Sequence, residues 1–272
     1  MKTRLITASV LFLTMSTAIF GLPKIVMALL MSVFCAIAAY ELLYRTGLVH
    51  HRRLVAMSMT AAFAVPMWCF CGMSYLWGLL GVLAFTALLF AEMMASRRDF
   101  PFGETAYCYV AGLLFPWLLA SLVRIHNTQL GDYVIAIPFI AAFLSDAGAY
   151  FVGRYFGKHK LAPTISPKKT IEGMIGGIAT AVIGMLIYAV IMDRIFYLQT
   201  NYFYAVIYGL LGSVCAVFGD LCFSIIKRQT GIKDYGNLFP GHGGILDRFD
   251  SMMIVGPLVE AMLLFLPVVV SV

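Results

Sequence analysis

The chain has 272 residues, of which 62% are apolar (AVILMFWYC) and 12% charged, with a formal net charge of +6. Soluble domains carry roughly 25% charged residues, so there is too little charge to coat a globule of this size, and lipid must be the solvent for most of the surface. With a mean hydropathy of +0.92, these figures exclude an ordinary soluble enzyme, a disordered chain and a nucleic-acid-binding domain; the basic excess reports topology instead.

A spanning helix needs roughly 20 mostly apolar residues. In chain order nine stretches qualify: 5–21, 25–44, 54–72, 76–95, 105–124, 133–152, 174–192, 202–226 and 251–271. Lys2 and Arg4 precede the first, but no small-x-small cleavage site follows it, so it reads as an uncleaved helix. The cysteines Cys35, Cys69, Cys71, Cys108, Cys215 and Cys222 all fall in apolar stretches and are expected to stay unpaired. The predicted fold is an all-α polytopic membrane protein with about nine transmembrane helices. With nine spans, the N-terminus and the even-numbered loops hold sixteen of the nineteen basic residues, while the other side holds Lys24, Arg124 and Arg194. The positive-inside rule then puts the N-terminus in the cytoplasm and the C-terminus outside. No internal repeat is visible, which argues against a transporter built from duplicated halves.

Carboxylates inside spans are costly and tend to mark function. Glu41 and Glu92 lie near the cytoplasmic boundary, where snorkelling or interfacial pairing is the expectation. Glu260 lies deeper and is read equally well as a structural acceptor or a site residue. Asp146 and Asp220 differ. Each precedes the cytoplasmic end of its helix by six residues, about 9 Å of helical rise. Their helices feed two long polar cytoplasmic loops, 153–173 and 227–250, so the two acids are expected to share one site. Asp220, Ser224 and Lys227 share a helix face, as do Asp146 and Tyr150.

The loop 227–250 adds Lys227, Arg228, Lys233 and Arg248, the glycines Gly241, Gly243 and Gly244 around His242, and the acids Asp247 and Asp250. Glycines there permit tight turns with N–H groups facing an anion. Oxygen-only carboxylate ligation suits Mg²⁺ bridging phosphates, and the cations offset polyphosphate charge. In 153–173, Ser166 or Thr170 is a candidate cap for the next helix, beside Lys168 and Lys169. Gly173 and Gly177 form a small-xxx-small pair read as helix packing. The residues alone thus reach a cytoplasm-facing, Mg²⁺-dependent site for a phosphorylated substrate.

The stretch Ser224-Ile225-Ile226-Lys227-Arg228, then Lys233-Asp234, Gly236, Phe239-Pro240, His242-Gly243-Gly244 and Asp247-Arg248-Phe249-Asp250, resembles the C-terminal signature of the phosphatidate cytidylyltransferases, or CDP-diacylglycerol synthases. A second similar block runs through Ser145-Asp146, Gly148-Ala149-Tyr150, Gly157 to Pro163 and Ser166 to Gly173. The resemblance is specific over 145–256 and general before it. It implies transfer of the cytidylyl group of CTP to phosphatidic acid, giving CDP-diacylglycerol and pyrophosphate. It also implies a homodimeric, multi-pass enzyme of the inner (plasma) membrane, dependent on Mg²⁺ with a monovalent cation such as K⁺ assisting. By position, Asp220, Asp247 and Asp250 become metal ligands, with Asp146 in the same cavity. Lys227, Arg228, Lys168 and His242 become catalytic, and Ser166, Lys169, Thr170, Ser224, Lys233, Gly243, Gly244 and Arg248 bind substrate. The catalytic region is then 133–272, carried on a scaffold of 1–132. A CTP-dependent transferase acting on a polyprenyl or ether lipid, and a cation-coupled transporter, are the alternatives.

Overall fold

A computed structural model describes residues 13–17, 19–95, 101–239, 241 and 243–270. The chain is mostly helical, and among the described residues seven segments are long and apolar enough to cross a membrane: Lys24–Arg45, Arg52–Phe70, Tyr75–Ala95, Phe102–His126, Gly131–Phe156, Ile171–Arg194 and Tyr202–Gln229. They coincide with the second to eighth expected spans. The first expected span, 5–21, lies largely outside the described residues. In place of the ninth is a helix over Met252–Phe265, 14 residues long, short of the roughly 20 a span needs. Pro267 follows it, and the residue before a proline is pushed out of helical geometry: Leu266 sits at φ −132° and ψ 65°.

The chain forms two compact units, Met1–Arg124 with Gln229–Arg248, and Ile125–Arg228 with Phe249–Val272. In the first, helix α1 (Lys24–Tyr40) runs into a π turn over Glu41–Arg45 and packs on α2 (Arg52–Phe70). Next come α3 (Tyr75–Ala95), α4 (Phe102–Tyr109), a second π turn over Val110–Leu114, α5 (Phe115–Leu119) and α6 (Ser121–His126). Met27, Met31, Leu54 and Leu119 are fully buried in this unit. By contrast Tyr75, Leu76, Trp77 and Leu83 of α3 are exposed, as a lipid-facing helix requires. Glu92 of α3 pairs with Arg53 of α2 at 3.3 Å, the interfacial ion pair the sequence suggested.

In the second unit α7 (Gly131–Val134) leads into α8 (Ala136–Phe156), which packs along its length on α9 (Ile171–Arg194). Lipid gives helices no hydrophobic reason to associate, so close backbone approach between small residues must supply the contact. A Cβ on Gly173 would lie 2.8 Å from the Ala149 carbonyl oxygen, and one on Gly177 2.6 Å from that of Ser145. Gly148 and Gly176 give α8 and α9 the same closeness against Thr180 and Val152. Between these helices lies an antiparallel hairpin of β1 (Lys160–Ala162) and β2 (Ser166–Thr170), with Lys160 opposite Thr170 and Ala162 opposite Ser166.

At the other end of α9, strand β3 (Gln199–Thr200) precedes α10 (Tyr202–Gln229). The short α11 (Leu246–Phe249) and α12 (Met252–Phe265) then lead to β4 (Val269–Val270), which pairs antiparallel with β3. The Asn201 N–H donates to the Val268 carbonyl at 2.9 Å, and the Tyr208 hydroxyl to that of Leu266 at 3.1 Å. The end of the described chain is therefore fastened beside the α9–α10 connection, away from the β1–β2 hairpin.

Candidate active site

The hairpin is the centre of the second unit's polar end. Thr170 caps α9, its hydroxyl accepting from the Gly173 N–H at 3.1 Å, which satisfies one of the free amides of a helix start. Within the first turn, Glu172 reaches back over the hairpin. It accepts from the Lys158 and His159 N–H groups at 3.0 and 3.2 Å, and lies 2.6 Å from His159 Nδ1. On the far side Arg228 Nε donates to the Ile165 carbonyl at 3.2 Å, tying the hairpin tip to α10. Arg228 thus has a structural contact that the sequence did not suggest.

These ties place a cavity of about 280 Å³, lined among others by Asp146, Tyr150, Arg154, Lys168, Lys169 and Thr170. Asp146 and Tyr150 both line it, as their shared helix face predicted, and Arg154 Nη1 donates to the Tyr150 hydroxyl at 2.9 Å. Three basic side chains and the start of a long helix suit an anion. Arg154 was not singled out in the sequence as a site residue, although its place four residues after Tyr150 on one helix face was the available signal.

Beside this cavity Lys169 forms an ion pair with Asp220. Ser224, one turn along α10, donates to Asp220 at 3.5 Å, and Lys227 lies close enough to act electrostatically on both Asp220 and Asp250. The Asp220 and Asp250 carboxyls lie close enough to act on each other directly. Gly219 allows this approach, since a Cβ there would come within 3.0 Å of the Asp250 carbonyl oxygen. Burial, and then the Asp220 carboxylate, push the Asp250 carboxyl up to about 8. Ser166 is half-buried in β2, and Lys168 is exposed.

In the first unit Asp247 is buried, its Oδ2 accepting from the Tyr235 N–H at 2.8 Å and the Gly244 N–H at 3.0 Å. Gly243 takes φ +82°, and a Cβ there would lie 2.6 Å from the same oxygen. Gly243 and Gly244 therefore fit close to a carboxylate of their own chain. Lys233 and Arg248 are exposed. His242 lies outside the described residues.

Glu41 departs from expectation. It does not snorkel: it is 3% exposed, and its Oε1 and Oε2 accept from the Ile245 and Leu246 N–H groups at 3.1 and 2.9 Å. The physical reason is that two backbone amides supply acceptor-seeking partners within the fold, so the carboxylate need not reach water.

The sequence model of the cytidylyltransferase family matches residues 2–266. The chain belongs to that family. It is similar to the phosphatidate cytidylyltransferase of Staphylococcus saprophyticus, 36% identical over 184 residues, which cover 67% of this chain and 68% of that protein. The phosphatidate cytidylyltransferase of Staphylococcus epidermidis is 36% identical over 185 residues, 68% of each chain. That of Bacillus subtilis is 39% identical over 171 residues, 62% of each. The matches cover about two thirds of each staphylococcal protein's length.

Membership brings a divalent cation into question. Among the described residues no three His, Cys, Asp or Glu side chains form a metal-binding group. Mg²⁺ does not need one, since it is held by one or two carboxylates together with substrate phosphates and water. Two neighbouring carboxyls such as Asp220 and Asp250 are a donor pair of that kind. The residues present fit the ion.

Proposed function

We infer that the chain is a multi-pass membrane enzyme that transfers the cytidylyl group of CTP to phosphatidate, forming CDP-diacylglycerol and pyrophosphate. The observation that carries this reading is the similarity to proteins named phosphatidate cytidylyltransferase over two thirds of both chains. A cavity walled by Arg154, Lys168 and Lys169 beside a carboxylate pair supports it.

A phosphate monoester oxygen of the lipid attacks the α-phosphorus of CTP; the new P–O bond forms as the bond to the β-phosphate bridging oxygen breaks, and pyrophosphate leaves. Both reactants are anions, so repulsion is the main barrier, and fixed cations lower it. Lys168 and Arg154 neutralise phosphate oxygens at the cavity wall. Lys169 holds Asp220 in place through their ion pair, and Lys227 adds positive charge along α10. The lipid phosphate is a nucleophile at neutral pH, so no strong base is required, and His242 orients phosphate. Asp220 and Asp250 would hold Mg²⁺, with Asp247 added by the signature; when bound, the ion offsets charge building on the leaving group. Ser166, Thr170, Ser224, Lys233 and Arg248 contact substrate in this reading, while Gly243 and Gly244 shape the turn around Asp247.

The basic loops favour a cytoplasmic active face in a plasma membrane; nine crossings, the last made by α12 and the extended residues after it, would leave a cytoplasmic N-terminus and an outer C-terminus. The resemblance adds a homodimer and an accessory K⁺. The deciding experiment is transfer of label from CTP into lipid by purified protein with Mg²⁺. Phosphatidate in liposomes is expected to be a far better acceptor than soluble glycerol 3-phosphate, because a bilayer-held acceptor arrives oriented and concentrated. Equal use of both would overturn the lipid assignment.

A further inference from the structure

We infer that Glu41 is a positioning residue for this reaction: its carboxylate fixes the start of α11, which carries Asp247. The inference rests on the cytidylyltransferase reading and deepens it.

Glu41 stands where α1 gives way to its π turn. Such widened turns are frequent at functional sites, because they re-aim a side chain that a regular helix would carry elsewhere. From there each carboxylate oxygen takes one backbone N–H, of Ile245 and of Leu246. A Cβ on Gly236 or on Gly244 would collide with the same carboxylate, so these two glycines close on it directly. Asp247 grips the segment from within, through Tyr235 and Gly244. The consecutive amides of residues 244, 245 and 246 therefore all donate to carboxylates, one supplied by the segment itself and two bonds by Glu41. Removing the Glu41 charge does not touch substrate. It releases the start of α11, and with it the placement of Asp247 at its second position.

Gln at this site keeps the shape but can accept through only one atom, and it turns a donor toward a buried N–H. Misplacement of a site from a distance costs about 10–100-fold in turnover. The test uses the full-length protein in lipid nanodiscs, with Glu41→Gln, Glu41→Asp, Gly244→Ala and the control Glu92→Gln. Hydrogen exchange of the 235–246 amides and the kcat and KM for CTP and phosphatidate are measured. Glu41→Gln is expected to speed exchange over 235–246 and leave α8 and α9 unchanged, with kcat lowered about 10–100-fold and KM for CTP moved less than about threefold. Glu41→Asp keeps the charge and should recover part of the lost kcat, while Glu92→Gln should behave as wild type. Gly244→Ala keeps Glu41 but crowds its carboxylate, and should reproduce the faster exchange and lower kcat even if Glu41→Gln does not fold. Wild-type kcat in Glu41→Gln, or a lowered kcat with unchanged exchange over 235–246, overturns the positioning role. An inactive wild type would instead overturn the cytidylyltransferase reading, and the exchange measurement still decides whether Glu41 holds the segment.

Discussion

The ammonium of Lys169, on the hairpin strand β2, is paired with the Asp220 carboxylate on α10. Both side chains are about three-quarters shielded, at 23% and 26% exposed. Replacing Lys169 by Met leaves a carboxylate without its cation, at a cost of about 1–3 kcal/mol, less than the roughly 3–5 of a fully buried pair. Thermal unfolding in detergent should show that loss, and the double variant with Asp220→Asn should be less destabilised than the sum of the two singles. Additive losses would mean the pair is not coupled.

Asp220→Asn and Asp250→Asn preserve size and remove charge from the carboxylate pair. Each should reduce turnover by about 100-fold or more while the protein remains monodisperse. Chelation should abolish wild-type activity, and Mg²⁺ should restore it. Near-normal turnover in either variant removes that residue from the metal assignment.

Gly177 has no room for a side chain, since a Cβ would lie 2.6 Å from the Ser145 carbonyl oxygen. Gly177→Ala should force α8 and α9 apart at a cost of about 1–3 kcal/mol, and Gly177→Leu should cost more. Melting temperatures of the purified variants check this. An unshifted Gly177→Ala would show that the seam yields without penalty.

The pairing of β3 with β4 places the end of the described chain at the α9–α10 end of its unit, whereas the Lys-rich hairpin lies at the other end of α9. An alkaline-phosphatase reporter fused after Val272 should therefore be active, and one inserted within 158–162 inactive. The opposite pattern would overturn the assigned orientation.

Seven spans were legible because length and apolar content are sufficient signals for a helix in lipid, and their limits fall within a few residues of those expected. The ninth was misjudged in extent: the apolar run continues through Val268, Val269 and Val270, but Pro267 and β-branched residues favour an extended chain there. The β1–β2 hairpin had no readable alternation, since Ser166-Pro167-Lys168-Lys169-Thr170 lacks an apolar face. At the site, the helix-face logic that grouped Asp146 with Tyr150 and Asp220 with Ser224 held, because spacing within one helix fixes direction. Spacing could not relate Lys169 to Asp220, or Asp220 to Asp250, which meet through the fold. Glu41 was the least legible of all, because its partners are backbone amides, and every residue type carries those.

The bonds from Glu41 to Ile245 and Leu246 span 204 and 205 residues. During synthesis α1 emerges among the first helices, yet the groups that satisfy its carboxylate are made near the end. Until then the Glu41 carboxylate lacks both of its amide donors. The clasp around Glu41 can close only after almost every helix has been inserted. Its formation is thus a late checkpoint in assembly, and a ribosome-bound chain halted before residue 245 would hold the first helices without the signature turn that they are shaped to receive.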